Sequence, residues 1–312
     1  MNSLTIFSFL ISFIFALIAI PLLKQFALKF RCYDDPNGDV LKIHKKPIPY
    51  LGGIGIFIGF GAGLALARIF HQISGLQSLG LLIGSIVILF LGFWDDLKWK
   101  KFGNPILKLF CQLLAGVAIV LILIKIGVNF YFSLYPILAA IIAGFYIVGA
   151  MNTVNMQDGM DGLAGGIVSI SLIGFIYLSI IQNNIFALIL SLSLLGGILG
   201  FLFYNWNPAS IFMGDNGSHF LGFLLAILAI MFTGHPALNF KQFIGPILII
   251  GLPIFDTTWA IIRRISRGVS PLSGDRGHLY DRLNQKGLSI KKTVLICYLV
   301  QVIIVGLGII IY

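Results

Sequence analysis

Eleven aspartates and no glutamate carry all the acidic chemistry of this 312-residue chain, and most stand in short polar clusters at the edges of apolar runs. Gly92-Phe-Trp-Asp95-Asp96 closes one such run. Adjacent carboxylates repel each other, and a helix C-terminus already carries partial negative charge, so the pair needs a cation. Lys98, Lys100 and Lys101 could supply one in a solvated, salt-bridged helix end. The other reading is an acid pair that handles a divalent metal or a phosphate. Neighbours on a helix point about 100° apart, which gives the two acids different jobs.

A second cluster, Asn152-Thr-Val-Asn155-Met-Gln-Asp158-Gly-Met-Asp161-Gly162, spaces two amides and two acids three apart. Each pair lines one face wherever the stretch is helical. Asp161 taken alone is an N-cap with glycine turn residues around it, but that leaves four carboxylate or amide groups together between two apolar runs. In Asn205-Trp-Asn-Pro208-Ala-Ser-Ile-Phe212-Met-Gly214-Asp215-Asn-Gly217-Ser218, Asp215 is either a simple N-cap or a metal ligand. Beside it, amides of Gly217 and Ser218 exposed at a helix N-terminus would favour a phosphate. Magnesium takes few protein carboxylates and completes its shell with water and phosphate oxygens. Phe212 alone reads as core or interface filling.

Asp256, in Pro253-Ile-Phe-Asp256, stands inside an apolar run, about 10 Å of helix rise from Arg263. A charge at that depth is expensive and is normally paired or functional. Lys108, at the inner end of another run, is one structural partner for it. The stretch from Arg263-Arg264 to Lys292 contains Asp275-Arg276-Gly277-His278-Leu-Tyr280-Asp281-Arg282, a cationic loop that suits an anionic substrate. A solvated basic loop would explain its arginines but not His278. His71, His219 and His235 read as incidental. Lys42-Ile-His44-Lys45-Lys46-Pro47-Ile-Pro49-Tyr-Leu-Gly52-Gly53 joins prolines that stiffen an extended approach to glycines that let a backbone come near a ligand.

The elements that position these clusters follow from composition. With 58% hydrophobic residues, 10% charged and a mean hydropathy of +1.01, too little polar surface remains for a water-exposed globule, a disordered tail or a coiled coil. The expectation is an all-α, polytopic integral membrane protein of about ten transmembrane helices, with 1–312 forming a single domain. A hydrocarbon core about 30 Å thick needs roughly 20 apolar residues per helix. Such runs fall at about 4–23, 51–70, 77–94, 105–126, 132–150, 163–181, 185–204, 218–234, 242–262 and 293–312. The first has no charge before Lys24 and no small-x-small cleavage site, and reads as a retained anchor. Cys32, Cys111 and Cys297 are far apart and form neither a disulfide framework nor a thiolate zinc site. The net charge of +10 is dispersed between apolar runs, which argues against nucleic acid as a partner.

Counting Lys108, 18 of the 21 lysines and arginines fall on the side reached after the odd-numbered spans, in 24–50, 95–104, 151–162, 205–217 and 263–292 or at the span ends bordering them. Arg68, Lys125 and Lys241 fall on the other side. By the positive-inside tendency the first side is cytoplasmic and both termini lie outside. Ten of the eleven aspartates share that cytoplasmic side, and Asp256 lies toward it. The tendency scarcely constrains acids, so their asymmetry calls for a polar site on the cytoplasmic face.

Together HKKPIPYLGG, GFWDD, NTVNMQDGMDG, FMGDNGS and PIFDTTWAIIRR with DRGHL, in that order along the whole chain, resemble the polyprenyl-phosphate N-acetylhexosamine-1-phosphate transferases, glycosyltransferase family 4. The sequence is most similar to the branch that makes undecaprenyl-diphospho-N-acetylglucosamine for teichoic-acid, O-antigen or enterobacterial-common-antigen type polymers. The resemblance implies transfer of N-acetylhexosamine-1-phosphate from a UDP-N-acetylhexosamine to undecaprenyl phosphate at the inner membrane of a bacterium, with release of UMP. It implies that Asp215 holds a catalytic Mg²⁺ or Mn²⁺ with Asp95 and Asp96 at the same centre, and that one of that pair, Asp95, acts as base toward the lipid phosphate or orients it. Asn155, Asp158 and Asp161 would bind the nucleotide and Phe212 would stack on uracil. Lys108, Lys45 or Lys46, and His278 with Arg282 would contact phosphates or the sugar, and Asp256 counts with these substrate-binding residues. A homodimer is left open. Where the family often reads HLHHRL, this chain has His278-Leu-Tyr280-Asp281-Arg282-Leu283, which puts sugar recognition by that motif in question.

Two alternatives stand beside this expectation. One is the phospho-MurNAc-pentapeptide transferase branch of the same family, which is less similar in the approach to the second span. The other, of a different class, is an ion-coupled transporter or lipid flippase, which would place its acids near the midplane between interrupted helices.

Overall fold

In a bilayer a backbone has no polar partner but itself, so runs of Leu, Ile, Phe and Val resolve into helices. The computed structural model describes residues 3–35, 46–70, 72–99, 104–128, 135–233 and 240–312, with the side chains of 3, 4, 98, 99 and 136 excepted. Its helices are α1 (Ser3–Lys29), α2 (Gly52–Ile69), α3 (Gly75–Trp94), α4 (Pro105–Lys125), α5 (Pro136–Gln157) and α6 (Leu163–Ile181). There follow α7 (Ile185–Asn205), α8 (Gly214–Phe232), α9 (Phe240–Ile250), α10 (Leu252–Ser266), α11 (Leu279–Gln285) and α12 (Ile290–Ile311). Among the described residues, nine helices are long and apolar enough to cross a membrane, and the α9–α10 pair, sharply bent, reaches that length and apolarity only when its two helices are taken together. The chain is a multi-pass, all-α membrane protein.

Helix α8 is the axis of the bundle. Nearly its whole circumference is buried, from Asn216 through Phe232, as expected of a helix that is apolar all round. Helices α2, α3, α5, α6 and α9 pack around it, and α1, α4 and α12 lie outside with apolar side chains such as Leu22, Phe26, Ile303 and Leu307 exposed for lipid. Hydrogen bonds tie the helix ends together at one face of the bundle: the start of α2 to residues just before α8 (Gly52 N–H to Phe212 O, 3.0 Å), and the start of α6 to the end of α7 (Gly162 N–H to Asn205 Oδ1, 2.9 Å). At the opposite face Tyr312 closes α12 against Phe232 at the end of α8. Between α1 and α2, β1 (Tyr33–Asp34) pairs with β2 (Ile48–Pro49) in a two-residue antiparallel bridge.

The ninth apolar run, expected as one span over 242–262, is two helices that meet at 85°. Gly251 makes the corner with φ 67° and ψ −119°, a conformation closed to residues with a Cβ, and Pro253 begins the next helix. The backbone groups freed by the break are met by Gln301 of α12. Its Oε1 accepts the Leu252 N–H at 2.8 Å, and its Nε2 donates to the carbonyls of Ile249 and Ile250 at 3.1 Å each and to Ser171 Oγ at 2.8 Å.

Other boundaries also differ from expectation at polar ends: the first run, read to 23, stays helical to Lys29, and the ninth, read to 262, to Ser266. The fifth run, read to 150, stays helical to Gln157, and the eighth, read from 218, begins at Gly214. Apolar counting stops a span where polar residues begin, yet in the fifth and eighth runs those residues bond to neighbouring helices and extend the helix instead of capping it.

Candidate active site

Asp95 and Asp96 enter a single π turn, Asp95–Trp99, that continues α3. As expected of neighbours on a helix, they part company. Asp96 turns to the start of α8, where its carboxylate accepts the N–H groups of Asp215 (3.1 Å) and Asn216 (3.2 Å) and the side-chain amide of Asn216 (3.0 Å). It is a cap supplied from another helix, and the helix dipole favours its charge. The close approach requires Gly92, where a Cβ would collide with the Asp215–Asn216 backbone.

Asp95, 5% exposed, faces the Asp215 carboxylate within hydrogen-bonding reach and takes the Lys108 ammonium of α4 in an ion pair. Asn155 of α5 completes the group, its Nδ2 donating to Asp215 Oδ1 at 2.8 Å and to Ser218 Oγ at 2.9 Å. Four elements thus converge on two facing carboxylates. Among the described residues the cation paired with Asp95 is Lys108; Lys100, Lys101 and the side chain of Lys98 lie outside them. Lys108 therefore pairs with Asp95 and not with Asp256.

Asp215 borders a cavity of about 720 Å³ at the polar face, whose wall also includes Asp96, Asp158, Asp161, Phe212 and Lys46, while Asp95, Lys108 and Asn155 do not line it. Lys45 lies outside the described residues. Asp158 ends α5 and Asp161 lies in the turn after it, but Asp161 is not the cap of α6, a place taken by Gly162 with φ 78°. Its Oδ2 instead accepts from Asn207 Nδ2 at 2.8 Å and the Ala209 N–H at 3.0 Å, which fastens the loop leading to Phe212. Phe212 is half-buried on the cavity wall, held by its N–H to Pro49 O at 2.7 Å.

Two expectations about backbone change with these contacts. The glycines approaching α2 come close to protein and not to a ligand: Gly52 and Gly53 donate to Phe212 O and Met213 O. The α8 amides read as open to phosphate are not open either, since Asp96 caps the first turn and Gly217 and Ser218 are buried within the helix.

The cationic loop is built on α10. Buried Arg263 and Arg264 grip Asp275 from both sides, at 2.7 and 2.8 Å, and reach Gly277 O and Pro271 O. Burial alone would raise the Asp275 carboxyl, but the guanidiniums of Arg264 and Arg263 outweigh it and hold it down at about 2. Asp256 accepts from Gln157 Nε2 (2.7 Å) and the Leu279 N–H (2.9 Å) and lies 2.7 Å from His278 Nδ1. Both its oxygens are occupied by protein. His278 is consequently buried under the loop, 4% exposed, and Arg282 is exposed on α11; neither lines the main cavity.

Tyr280, which stands where the family resemblance expects histidine, stacks on His278 with 5.6 Å between ring centroids and donates to Met156 O at 3.1 Å. Burial, then the nearby Asp281 charge, pushes its phenol far above the ordinary range. Burial also raises Asp281. Both line a smaller cavity of about 210 Å³, which shares Gly159 and Met160 with the main one.

Asp34 and Asn207 also line the main cavity and were not singled out from the sequence. Asp34 arrives through the β1–β2 bridge, a pairing too short to leave a periodic signal, although its place in the acid asymmetry marked it. His219, read as incidental, is buried in α8 and lies 3.5 Å from Gln112.

The donor set can be tested against a divalent ion. Among the described residues no three or more acidic, histidine or cysteine side chains gather as a ligand cluster. Two facing carboxylates are nevertheless what Mg²⁺ or Mn²⁺ needs from protein when phosphate and water fill the remaining positions. Asp95 and Asp215 fit such an ion; Asp96, engaged with the α8 amides, fits it less well.

Residues 78–233 match the model of glycosyl transferase family 4. Among curated relatives, the chain is 35% identical over 305 residues to a probable undecaprenyl-phosphate N-acetylglucosaminyl 1-phosphate transferase of Bacillus subtilis, covering 94% of this chain and 81% of that one. It is 30% identical over 287 residues to a decaprenyl-phosphate N-acetylglucosaminephosphotransferase of Mycolicibacterium smegmatis, covering 82% and 70% of the two chains. It is 32% identical over 242 residues to a phospho-N-acetylmuramoyl-pentapeptide-transferase of Streptococcus sanguinis, covering 71% and 72%.

Proposed function

The chain belongs to glycosyl transferase family 4, and we propose that within it the protein transfers N-acetylglucosamine-1-phosphate from UDP-N-acetylglucosamine to undecaprenyl phosphate, releasing UMP. The observation that carries this reading is the facing pair Asp95 and Asp215, with Lys108 on one member and Asn155 on the other, of which Asp215 lines an acidic cavity. The names of the Bacillus and Mycolicibacterium relatives support the sugar and the lipid acceptor.

Both reactants are anionic, so a cavity walled by aspartates would repel them without a countercharge. A divalent ion held by Asp215 and Asp95 would supply charge neutralisation for the diphosphate and for departing UMP. The protein's own groups do the rest. Asn155 fixes the Asp215 carboxylate, and Asp96 fixes the backbone on which Asp215 rides. Lys108 balances the Asp95 charge and offers positive charge to phosphate oxygens. Asp95 orients the lipid phosphate or takes its proton. The lipid phosphate oxygen then attacks the sugar-proximal phosphorus in line: one P–O bond forms, the bond to the UMP oxygen breaks, and UMP takes the electron pair. Phe212 and the Asp158–Asp161 turn border the space for uridine.

A lipid phosphate and a cytosolic nucleotide meet only at the inner interface of the bacterial cytoplasmic membrane, which places the carboxylate face inward and both termini outside. Ion-coupled transport is disfavoured because Asp256, the acid nearest the α9–α10 corner, has both oxygens engaged by Gln157, His278 and Leu279. The test is UMP release by the purified protein, with mass spectrometry of the lipid product from several UDP-sugars. Release is expected only with UDP-sugar, undecaprenyl phosphate and a divalent ion together. Release without the lipid acceptor counts against direct transfer, and a product formed only from the muramyl-pentapeptide donor moves the protein to the other branch.

A further inference from the structure

One helical turn deeper than the carboxylates lies a second polar layer that the proposed reaction does not use. Gln112 is four residues along α4 from Lys108, Asn152 is three residues back along α5 from Asn155, and His219 is four residues along α8 from Asp215. Three or four residues amount to about 5–6 Å of rise, so each member of the site trio has a polar residue beneath it on the same helix face. His219 is 0% exposed and Gln112 2%.

The hydrogen bonds between them run in one direction. Asn152 Nδ2 donates to Val148 O at 2.8 Å and to Gln112 Oε1 at 2.9 Å. That contact orients the Gln112 amide, so its Nε2 points at His219 Nε2, 3.5 Å away. With the Gln112 amide so fixed, the ring nitrogen is left the accepting role in this contact. Apolar side chains of the same volume would pack three helices together as well, but they would accept several rotations about the helix axes. A directional chain of donors accepts one. Just below, Gly222 brings α8 against the α5 backbone at Ala150 and Met151, so the two helices meet there with no side chain between them.

We propose that Gln112, Asn152 and His219 are positioning residues that set the rotational register of α4, α5 and α8, and so bring Lys108, Asn155 and Asp215 onto one centre. The proposal rests on the reading of that centre as the transfer site. It is tested on the full chain in lipid nanodiscs with Gln112→Met, His219→Leu and His219→Gln, the last offering a carbonyl acceptor in place of Nε2. Three quantities are read: kcat and KM for UDP-N-acetylglucosamine, Mn²⁺ binding by paramagnetic resonance without substrates, and the thermal midpoint. Gln112→Met and His219→Leu are expected to lower kcat and Mn²⁺ affinity by about 10-fold or more, with KM little changed and the protein folded. His219→Gln is expected to recover most of both. Wild-type kcat and Mn²⁺ affinity in the first two variants overturn the positioning role alone. So do losses that merely follow unfolding, with His219→Gln as impaired as His219→Leu. A wild-type chain that neither releases UMP nor binds Mn²⁺ overturns the reading of the centre itself.

Discussion

The Asp96 carboxylate accepts the N–H groups of Asp215 and Asn216 at 3.1 and 3.2 Å, while Asp95, its neighbour in sequence, faces the Asp215 side chain. Adjacent acids thus hold the same residue by different ends, one by its backbone and one by its carboxylate. Their substitutions should separate. Asp96→Ala leaves α8 without its cap and is expected to cost about 1–2 kcal/mol of stability, visible as a lower thermal midpoint. Asp95→Asn keeps the shape, leaves the fold unchanged and is expected to lower kcat by about 10²–10⁴-fold. Equal loss of stability in both variants would contradict this division of labour.

Lys108 sits on Asp95 and would compete with any other cation for it. Lys108→Met is therefore expected to bind Mn²⁺ at least as tightly as the wild type, yet to lose about 10²-fold in kcat because a charge aimed at phosphate oxygens is gone. Asp95→Asn should instead weaken Mn²⁺ binding. Titration of both variants by paramagnetic resonance distinguishes a lysine that serves the reactants from one that only neutralises an acid.

Much of this arrangement was legible before any coordinates. Nine of the ten apolar runs are single helices long enough to cross a membrane and the ninth in order is a bent pair, and the gathering of aspartates on one side marked the face where the cavity lies. Polar contacts across helices were harder to read. Nothing local to Asp161 says that it will accept from Asn207 and Ala209 instead of capping α6. Nothing local to Gln301 says that it will mend a broken helix about 50 residues away. Both depend on which helices become neighbours, and apolar periodicity is silent on that when every face is apolar. The break at Gly251 was similarly hidden, because hydropathy averages across a corner without registering its angle.

The loop after α10 carries its own pH signature. Asp275 is held at about 2 in the folded protein by Arg264 and Arg263, against about 3.9 in an unfolded chain. A lowered carboxyl contributes stability that is present above the unfolded value and lost as pH falls through the folded one. The segment 267–278 is therefore expected to resist proteolysis equally at pH 7 and pH 5, and to loosen only as the pH drops below about 4 toward 2. Asp275→Asn should loosen it already at pH 7, as read by hydrogen exchange, and an identical protection pattern in that variant would contradict the role of the arginine clamp.

Gln301 offers the sharpest test of how the bent pair is held. Its Oε1 accepts the Leu252 N–H and its Nε2 donates to Ile249 O and Ile250 O, groups that an unbroken helix would have paired internally. In an apolar interior Gln301→Leu leaves them without partners, at a cost of about 1–3 kcal/mol for each group left unsatisfied. The loss should be uneven in space. Asp256 lies one helical turn past the corner and anchors His278, so the first structure to loosen should be the loop 267–278, ahead of the helices around α8. Gln301→Glu retains an acceptor for Leu252 but loses both donors, and should fall between wild type and Gln301→Leu. Thermal unfolding combined with hydrogen exchange reads both quantities. Uniform deprotection throughout the bundle would show that Gln301 supports general packing and not the corner.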